Sequence, residues 1–180
     1  MDTAAVPHAS QPEPWLRGTL IEEPAVIRAV LHALELARED AERWCANLTG
    51  MELNLRPLGL PAVSFHLRHI AGSLDRLLSY AEGRLLSDAQ LGELKREAEA
   101  AGALPRTLLR EYGAHLEAAA ARVRAFAGAD LEAARSVGRR ELPTTLGGLL
   151  VHVADHTQRH SGQMVTTAKV LLAQREQPFA

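Results

Sequence analysis

Three histidines recur at intervals of four residues in the last third of the chain, at His152, His156 and His160. The surrounding residues have helical character, and an i,i+4 step on a helix keeps successive side chains on one face. Two neutral imidazoles on adjacent turns can therefore share one divalent cation. Because His152 and His160 are about 12 Å apart along the axis, one ion takes an adjacent pair and needs a third ligand from another segment.

A second pair, His66 and His69, offers that third ligand. Both histidines lie at the start of a helical pattern whose apolar side is marked by Phe65, Ile70 and Leu74. Either imidazole could face the interior, and periodicity does not separate them. Three neutral nitrogen donors that leave positions for water or substrate are typical of a catalytic transition-metal site.

The remaining histidines and the single cysteine lack such spacing. Cys45 follows Trp44 on an apolar stripe, which indicates a buried, inert thiol and not a nucleophile. One cysteine excludes an intrachain disulfide framework and a cysteine-based zinc ribbon, and it favours a reducing cytoplasm. His8, His32 and His115 are interpreted as structural or surface residues.

Two well-known metal sites of helical proteins are excluded by missing glutamates. A ferritin-like di-iron centre needs Glu-x-x-His on two helices, but the histidine helix has no glutamate before Glu176. The zinc-protease pattern His-Glu-x-x-His is absent as well, because residues 156–160 read His-Thr-Gln-Arg-His. The usual machinery for peptide hydrolysis is therefore missing.

Charge and hydropathy narrow the possible partners. The 20 basic and 22 acidic residues give a formal net charge of −2, which argues against nucleic-acid binding. The densest basic cluster, formed by Arg135, Arg139 and Arg140, lacks interleaved aromatic residues and indicates a solvated loop. Residues 1–14 do not resemble an export signal, and no apolar run approaches the roughly 18 residues of a membrane span. We expect a cytoplasmic protein without membrane contact.

The elements that must position the histidines are helices. Alanine and leucine dominate, only 4% of the residues are aromatic, and no segment has a strand pattern. Residues 1–22 are expected to form an irregular arm that docks through Trp15 and Leu16, and residues 23–180 to form one domain.

Apolar spacing and capping residues such as Ser87 and Thr145 predict four long helices and a short accessory helix. The five predicted helices, of which the third is the accessory one, span about 23–49, 61–83, 87–101, 105–128 and 145–173. We therefore predict an all-α, antiparallel four-helix bundle, which brings ligands from facing helices into a shared interior.

Both histidine segments resemble the DinB/YfiT-like family of metal-binding four-helix bundles. The similarity covers most of residues 23–173 and rests on His69 with the Ile-Ala step after it, and on the run from Asp155 to Gln163. The family has one histidine in its second helix and a His-x3-His pair in its last. The resemblance therefore selects His69, His156 and His160 as ligands of the metal.

The resemblance leaves His66 and His152 as neighbours that could still substitute for a ligand or complete the shell. It implies a nickel- or zinc-like divalent ion and a homodimer. The apolar residues Leu171, Leu172 and Phe179 could form a dimer face or close the core.

The resemblance implies less about the reaction, because fold does not define function. Some members are thiol-dependent transferases or isomerases, so the first hypothesis is a metal-dependent thiol S-transferase that uses a low-molecular-weight thiol and a small electrophilic substrate. A metal-dependent hydrolase is a close variant. The alternative from another class is a stress-associated metal-binding or interaction protein without turnover. Asp155 and Gln163 receive no catalytic role.

Overall fold

The computed structural model describes residues 11–99, 102 and 104–176. The helices are α1 (Ala25–Cys45), α2 (Val63–Ala81), α3 (Asp88–Arg96), α4 (Pro105–Arg124) and α5 (Leu146–Glu176). Two short strands, β1 (Ala134–Val137) and β2 (Leu142–Thr145), and the 3-10 turns Pro14–Leu16, Glu52–Asn54 and Pro57–Gly59 complete the described elements. His8, Phe179 and the predicted end of the accessory helix near Ala101 lie outside the described residues.

The four long helices pack into one bundle, in which α1 and α2 each contact both α4 and α5. The predicted all-α bundle is therefore confirmed. Apolar residues three or four positions apart supply the core, and burying each large side chain contributes about 1.5–3 kcal/mol. Representative buried residues are Ile27 and Leu34 of α1, Leu67 and Leu74 of α2, Leu108 and Leu116 of α4, and Leu150 and Met164 of α5.

The end of α2 is set by Gly83, whose φ of +75° suits a residue without a Cβ. The amide of Gly83 donates to the carbonyl of Tyr80, and the amide of Arg84 donates to Ser79. These two bonds satisfy carbonyls that the helix end would otherwise leave unpaired. Three helices end before their predicted ends, α1 at Cys45, α3 at Arg96 and α4 at Arg124, and 3-10 turns fill the connection between α1 and α2.

A hairpin between α4 and α5 corrects the prediction that the chain has no strands. Strands β1 and β2 pair antiparallel, with Val137 opposite Leu142. The hairpin fixes the first turn of α5, because the amide of Leu146 donates to Ala133 and the Thr145 hydroxyl caps the amide of Gly148 at 3.0 Å. Pairing of two four-residue strands depends on this docking, since such short segments have little strand signal of their own.

The hairpin also holds one residue of the basic cluster. Arg135 Nε donates to the carbonyl of Ala81 at 2.6 Å, which ties the hairpin to the end of α2. Arg139 and Arg140 are exposed, as expected for a solvated connection.

The N-terminal arm docks differently from the prediction. Trp15 is 63% exposed and Leu16 is 58% exposed, so the expectation that these two side chains anchor the arm is wrong. Pro14 is buried instead, and Arg17 forms hydrogen-bonded ion pairs with Glu35 and Glu39 of α1 at 2.9 and 2.6 Å. The ion pairs of Arg17 with Glu35 and Glu39 therefore connect the arm to α1, in place of the predicted apolar contacts of Trp15 and Leu16.

None of the described helices meets the combined demands of length and apolarity for spanning a bilayer.

Candidate metal centre

Helices α2 and α5 bring three histidines together. One ring nitrogen each of His69, His156 and His160 lies within 4.8 Å of the other two. The ring centroids of His156 and His160 are 4.5 Å apart, and the centroid of His69 lies 4.4 Å from that of His160. These are the three residues that the family resemblance selects.

The position of each histidine follows from its helix. His156 and His160 are one turn apart on α5, at the border between the buried residues Thr157 and Ser161 and the solvent-exposed side. His69 approaches from α2, with its side chain 18% exposed. The cluster therefore lies at the edge of the core, partly closed by protein and partly open to water.

A buried carboxylate orients His69. Glu97, which follows α3 directly, accepts from His69 Nδ1 at 2.7 Å through Oε2. A proton on Nδ1 leaves the lone pair on Nε2, so this bond sets the tautomer that a metal ligand needs. The second oxygen of Glu97 accepts from Arg76 Nη1 at 2.6 Å, and Arg76 Nη2 donates to the Ser73 hydroxyl.

The charge state of Glu97 is set by opposing effects. Burial raises the pKa of Glu97, but hydrogen bonds from His69 and Arg76 outweigh burial and bring the pKa below its ordinary value. The carboxylate is therefore ionised and acts as an acceptor. Gly72 gives it room, because a Cβ at this position would overlap the Glu97 carboxylate and stand 2.7 Å from Arg76 Nη1.

His156 and His160 are uncharged at neutral pH. Burial is the main cause that lowers the pKa of His156 to about 4, and the neighbouring His160 and His69 contribute further. Burial and the neighbouring His69 also lower the pKa of His160. A neutral imidazole has a free lone pair, which is the form that binds a cation.

The donor set fits a transition-metal ion. Three imidazole nitrogens suit zinc, nickel or a similar ion, whereas magnesium and calcium prefer oxygen ligands. His160 Nδ1 is buried and has no hydrogen-bond partner among the described residues, so one polar atom of the cluster lacks the compensation that burial requires. A bound cation is one way to supply a partner to such a nitrogen.

The other two histidines of the predicted region lie beside the cluster. His152 is largely exposed, its ring centroid is 5.5 Å from that of His156, and it is not within reach of the three-residue group. His66 is completely buried, and its ring centroid is 5.6 Å from that of His160. Neither nitrogen of His66 has a partner among the described residues, and burial is the main cause that lowers its pKa to about 4.

The residues interpreted as structural behave accordingly. Cys45 is fully buried, and burial raises the pKa of its thiol to about 12, so it is not available as a nucleophile. His32 is buried and hydrogen-bonded to the Thr19 hydroxyl at 3.1 Å, and His115 is exposed on α4. Asp155 forms an ion pair with Arg159 on the surface of α5.

Glu97 and Arg76 were not predicted from the sequence. Glu97 is 28 residues from His69, and nothing local distinguishes it from the other acidic residues of its segment. A usable signal does exist on α2, because Gly72 and Arg76 lie three and seven residues after His69 and therefore on its stripe of the helix.

Comparison with known proteins agrees with this architecture. The sequence model of the DinB superfamily matches residues 33–164. A solved structure described as a conserved protein from Enterococcus faecalis is similar over 82% of this chain and 98% of that chain, with a TM-score of 0.57 and 21% sequence identity. A likeness at this level of identity shows the fold alone. A comparison with curated proteins gave no match.

Proposed function

The chain belongs to the DinB superfamily, and from this premise we propose that it binds one divalent transition-metal ion through His69, His156 and His160. The observation that carries the proposal is the convergence of one nitrogen from each residue within 4.8 Å. The bond between His69 and Glu97 supports it, because carboxylates that orient a ligating histidine are a recurrent feature of such sites.

The number of ligands favours catalysis. Three protein ligands leave at least one coordination position for water or a substrate, which is the arrangement of catalytic sites. The ion would supply a positive charge that lowers the pKa of a coordinated thiol or water. His69 and the α5 pair would hold the ion at the partly open edge of the bundle, where a small molecule can reach it.

We therefore propose that the protein is a metal-dependent thiol S-transferase that acts on small electrophiles. The chain has one cysteine, Cys45, which is buried with a raised pKa, so the thiol must be a small molecule from solution. In the proposed addition to an activated alkene, a sulfur–carbon bond forms as the thiol S–H bond and the carbon–carbon π bond break, and the thiol proton ends on the neighbouring carbon of the adduct. No oxidant or reductant is required.

A structural role for the ion is the second candidate. His66 favours it, because this buried imidazole has two nitrogens without a partner among the described residues and lies beside His160. A fourth nitrogen would close the shell and leave no position for a substrate. A homodimer and a cytoplasmic location remain predictions from the sequence.

The test is a rate assay of the addition of 2-mercaptoethanol to but-3-en-2-one. The loss of the enone absorbance measures the rate. The addition should be faster with zinc- or nickel-loaded protein than in buffer that contains the same metal alone. His156→Ala should abolish this rate increase. His115→Ala, which changes an exposed histidine of α4, serves as the matched control and should retain it.

The transferase proposal would be contradicted if the protein binds metal stoichiometrically but accelerates neither reaction. The two reactions are the additions of 2-mercaptoethanol and of glutathione to but-3-en-2-one. Metal binding itself would then stand, and the structural role would be preferred.

A further inference from the structure

Helix α3 leads directly to Glu97, the carboxylate that orients His69, but α3 itself has no residue in the core. None of its residues from Asp88 to Arg96 is buried, so apolar burial stabilises it less than the four long helices. A helix shorter than about 12–15 residues is marginal in water on its own, and α3 has nine residues. Its position on α2 therefore depends on individual polar contacts.

Polar contacts at both ends attach α3 to α2. In the first turn, Gln90 Nε2 donates to Asp75 Oδ2 at 2.6 Å and to the Ser79 hydroxyl at 2.9 Å. At the other end, both oxygens of Glu97 accept from side chains of α2. Gln90 and Glu97 are seven residues apart, which is about two helical turns, so both lie on the side of α3 that faces α2.

Between these two ends, α2 and α3 enclose a cavity instead of packing closely. The cavity has a volume of about 430 Å³, and its wall includes Ala71 and Gly72 of α2 and Ala89 of α3. A segment with few buried apolar contacts opens locally at a low cost in free energy. Loss of the Gln90 contact should therefore loosen α3 as a whole, and Glu97 with it.

We propose that Gln90 is a positioning residue of the metal centre, because it fixes α3 on α2 and thereby holds Glu97 at His69. The proposal rests on metal binding by the three histidines, and Gln90 itself hydrogen-bonds to none of them. Coupling between two equilibria is reciprocal. Attachment of α3 therefore strengthens metal binding, and a bound ion, which needs the tautomer that Glu97 sets, strengthens the attachment of α3 by the same factor.

Gln90→Glu breaks the contact with α2 and leaves the start of α3 intact. Gln90 Oε1 accepts from the amide of Ser87 in a capping box, and a glutamate can take over this role. A glutamate cannot donate, however, and its charge would face the Asp75 carboxylate.

Competition with a chromophoric chelator measures the zinc affinity of this variant. We expect binding at least about fivefold weaker than in wild type, the lower end of typical coupling between sites, and at most about 100-fold weaker, the loss expected without the Glu97 carboxylate. Lys95→Gln is the matched control, because it also lowers the charge of α3 by one, at an exposed position. It should bind zinc like wild type.

A double-variant cycle shows whether Gln90 acts through Glu97. In a Glu97→Gln background the carboxylate is already lost, so Gln90→Glu should cause no further loss of zinc affinity. Hydrogen–deuterium exchange is the second readout. Zinc should slow the exchange of the α3 amides in wild type, and Gln90→Glu should accelerate it in chelator-treated protein, while the amides of α1 and α5 exchange as in wild type.

The possible failures of the two proposals differ. A wild type that binds no zinc would overturn metal binding and the role of Gln90 together. Zinc binding that is equally tight in Gln90→Glu, or equally weakened by it in the Glu97→Gln background, would overturn the role of Gln90 alone. Exchange of α3 that does not respond to zinc, or faster exchange of α1 and α5 in Gln90→Glu, would also overturn that role.

Discussion

Two carboxylate–arginine pairs in this protein have similar bond lengths but different surroundings. Glu97 accepts from Arg76 at 2.6 Å, and Glu52 accepts from Arg175 at 2.6 Å. The side chains of Glu97 and Arg76 are 6% and 10% exposed, whereas those of Glu52 and Arg175 are 16% and 39% exposed. The remaining acceptor capacity of Glu97 serves His69, while that of Glu52 serves the amide and hydroxyl of Thr49.

The difference shows that bond length alone does not reveal what an ion pair does. An exposed pair is screened by water and contributes little to stability, so Glu52 and Arg175 chiefly fasten the end of α5 to a loop. The charges of a buried pair lose their hydration, and this cost can exceed their mutual attraction. A buried ion pair is therefore weak evidence for a contribution to the stability of the fold. The buried Glu97–Arg76 pair is therefore best explained by its third partner, His69, whose tautomer it sets.

Removal of the buried carboxylate should give the largest effect among substitutions outside the histidines. Glu97→Gln should weaken zinc or nickel binding about 10- to 100-fold, because His69 loses its charged acceptor. It should also lower the free energy of unfolding by about 3 kcal/mol, since Arg76 becomes an unpaired buried charge. Competition with a chromophoric chelator measures the affinity.

Glu93→Gln is the control for this substitution, because Glu93 is an exposed residue of α3, the helix that Glu97 follows, and it pairs with Arg96. It should leave both quantities nearly unchanged. Equal metal affinity in Glu97→Gln and wild type would show that Glu97 does not orient His69 for metal binding.

Crowding the same pair should give an intermediate effect. Gly72→Ala inserts a methyl group into the space of the Glu97 carboxylate, so the carboxylate must move away from His69 or from Arg76. We expect a loss of about 1–3 kcal/mol in stability and a metal affinity between those of wild type and Glu97→Gln.

Gly113→Ala is the matched control for the added methyl group, since a Cβ there meets no atom within 4 Å. In the middle of α4 it should be neutral or slightly stabilising. If Gly72→Ala is as stable as Gly113→Ala and binds metal like wild type, the close packing around Glu97 is not required.

The exposed pair should give the smallest effect and a distinct pH dependence. The hydrogen bond from Arg175 is the main cause that lowers the pKa of Glu52 from 4.5 to about 2. Stability from this pair is therefore fully present above pH 4.5 and is lost as the pH falls through about 2. Urea denaturation should show Arg175→Gln slightly less stable than wild type at neutral pH and equal to it near pH 2.

High salt should reduce the neutral-pH difference, because exposed charges are screened. Two results would contradict this interpretation of the Glu52–Arg175 pair. One is a large, salt-independent loss of stability in Arg175→Gln, and the other is a difference in stability from wild type that does not change with pH.

Sequence patterns predicted the parts of the fold that depend on local spacing. The histidine pair on α5 follows directly from the i,i+4 rule, and the caps at Ser87 and Thr145 follow from side chains that bond amides three residues later. Such contacts form within one or two helical turns. Their partners can therefore be identified from the order of the residues.

Contacts between distant segments were not predictable in the same way. Glu97 reaches His69 only because α3 returns its end to α2, and the hairpin at 134–145 forms because it docks on α2 and α5. Periodicity also left His66 and His69 equivalent, since both are on the inner half of α2. In the structure, the hydrogen bond to Glu97 distinguishes His69 from His66, and Glu97 lies outside α2, directly after α3.

Elemental analysis of untagged protein, after reconstitution with zinc or nickel and removal of excess ion, measures whether His69, His156 and His160 hold a metal ion. We expect about one ion per chain in wild type and in His115→Ala, and loss of the ion in folded His156→Ala and His160→Ala. A folded wild type that retains neither metal, or variants that retain as much as wild type, would contradict the assignment of these histidines as a metal centre.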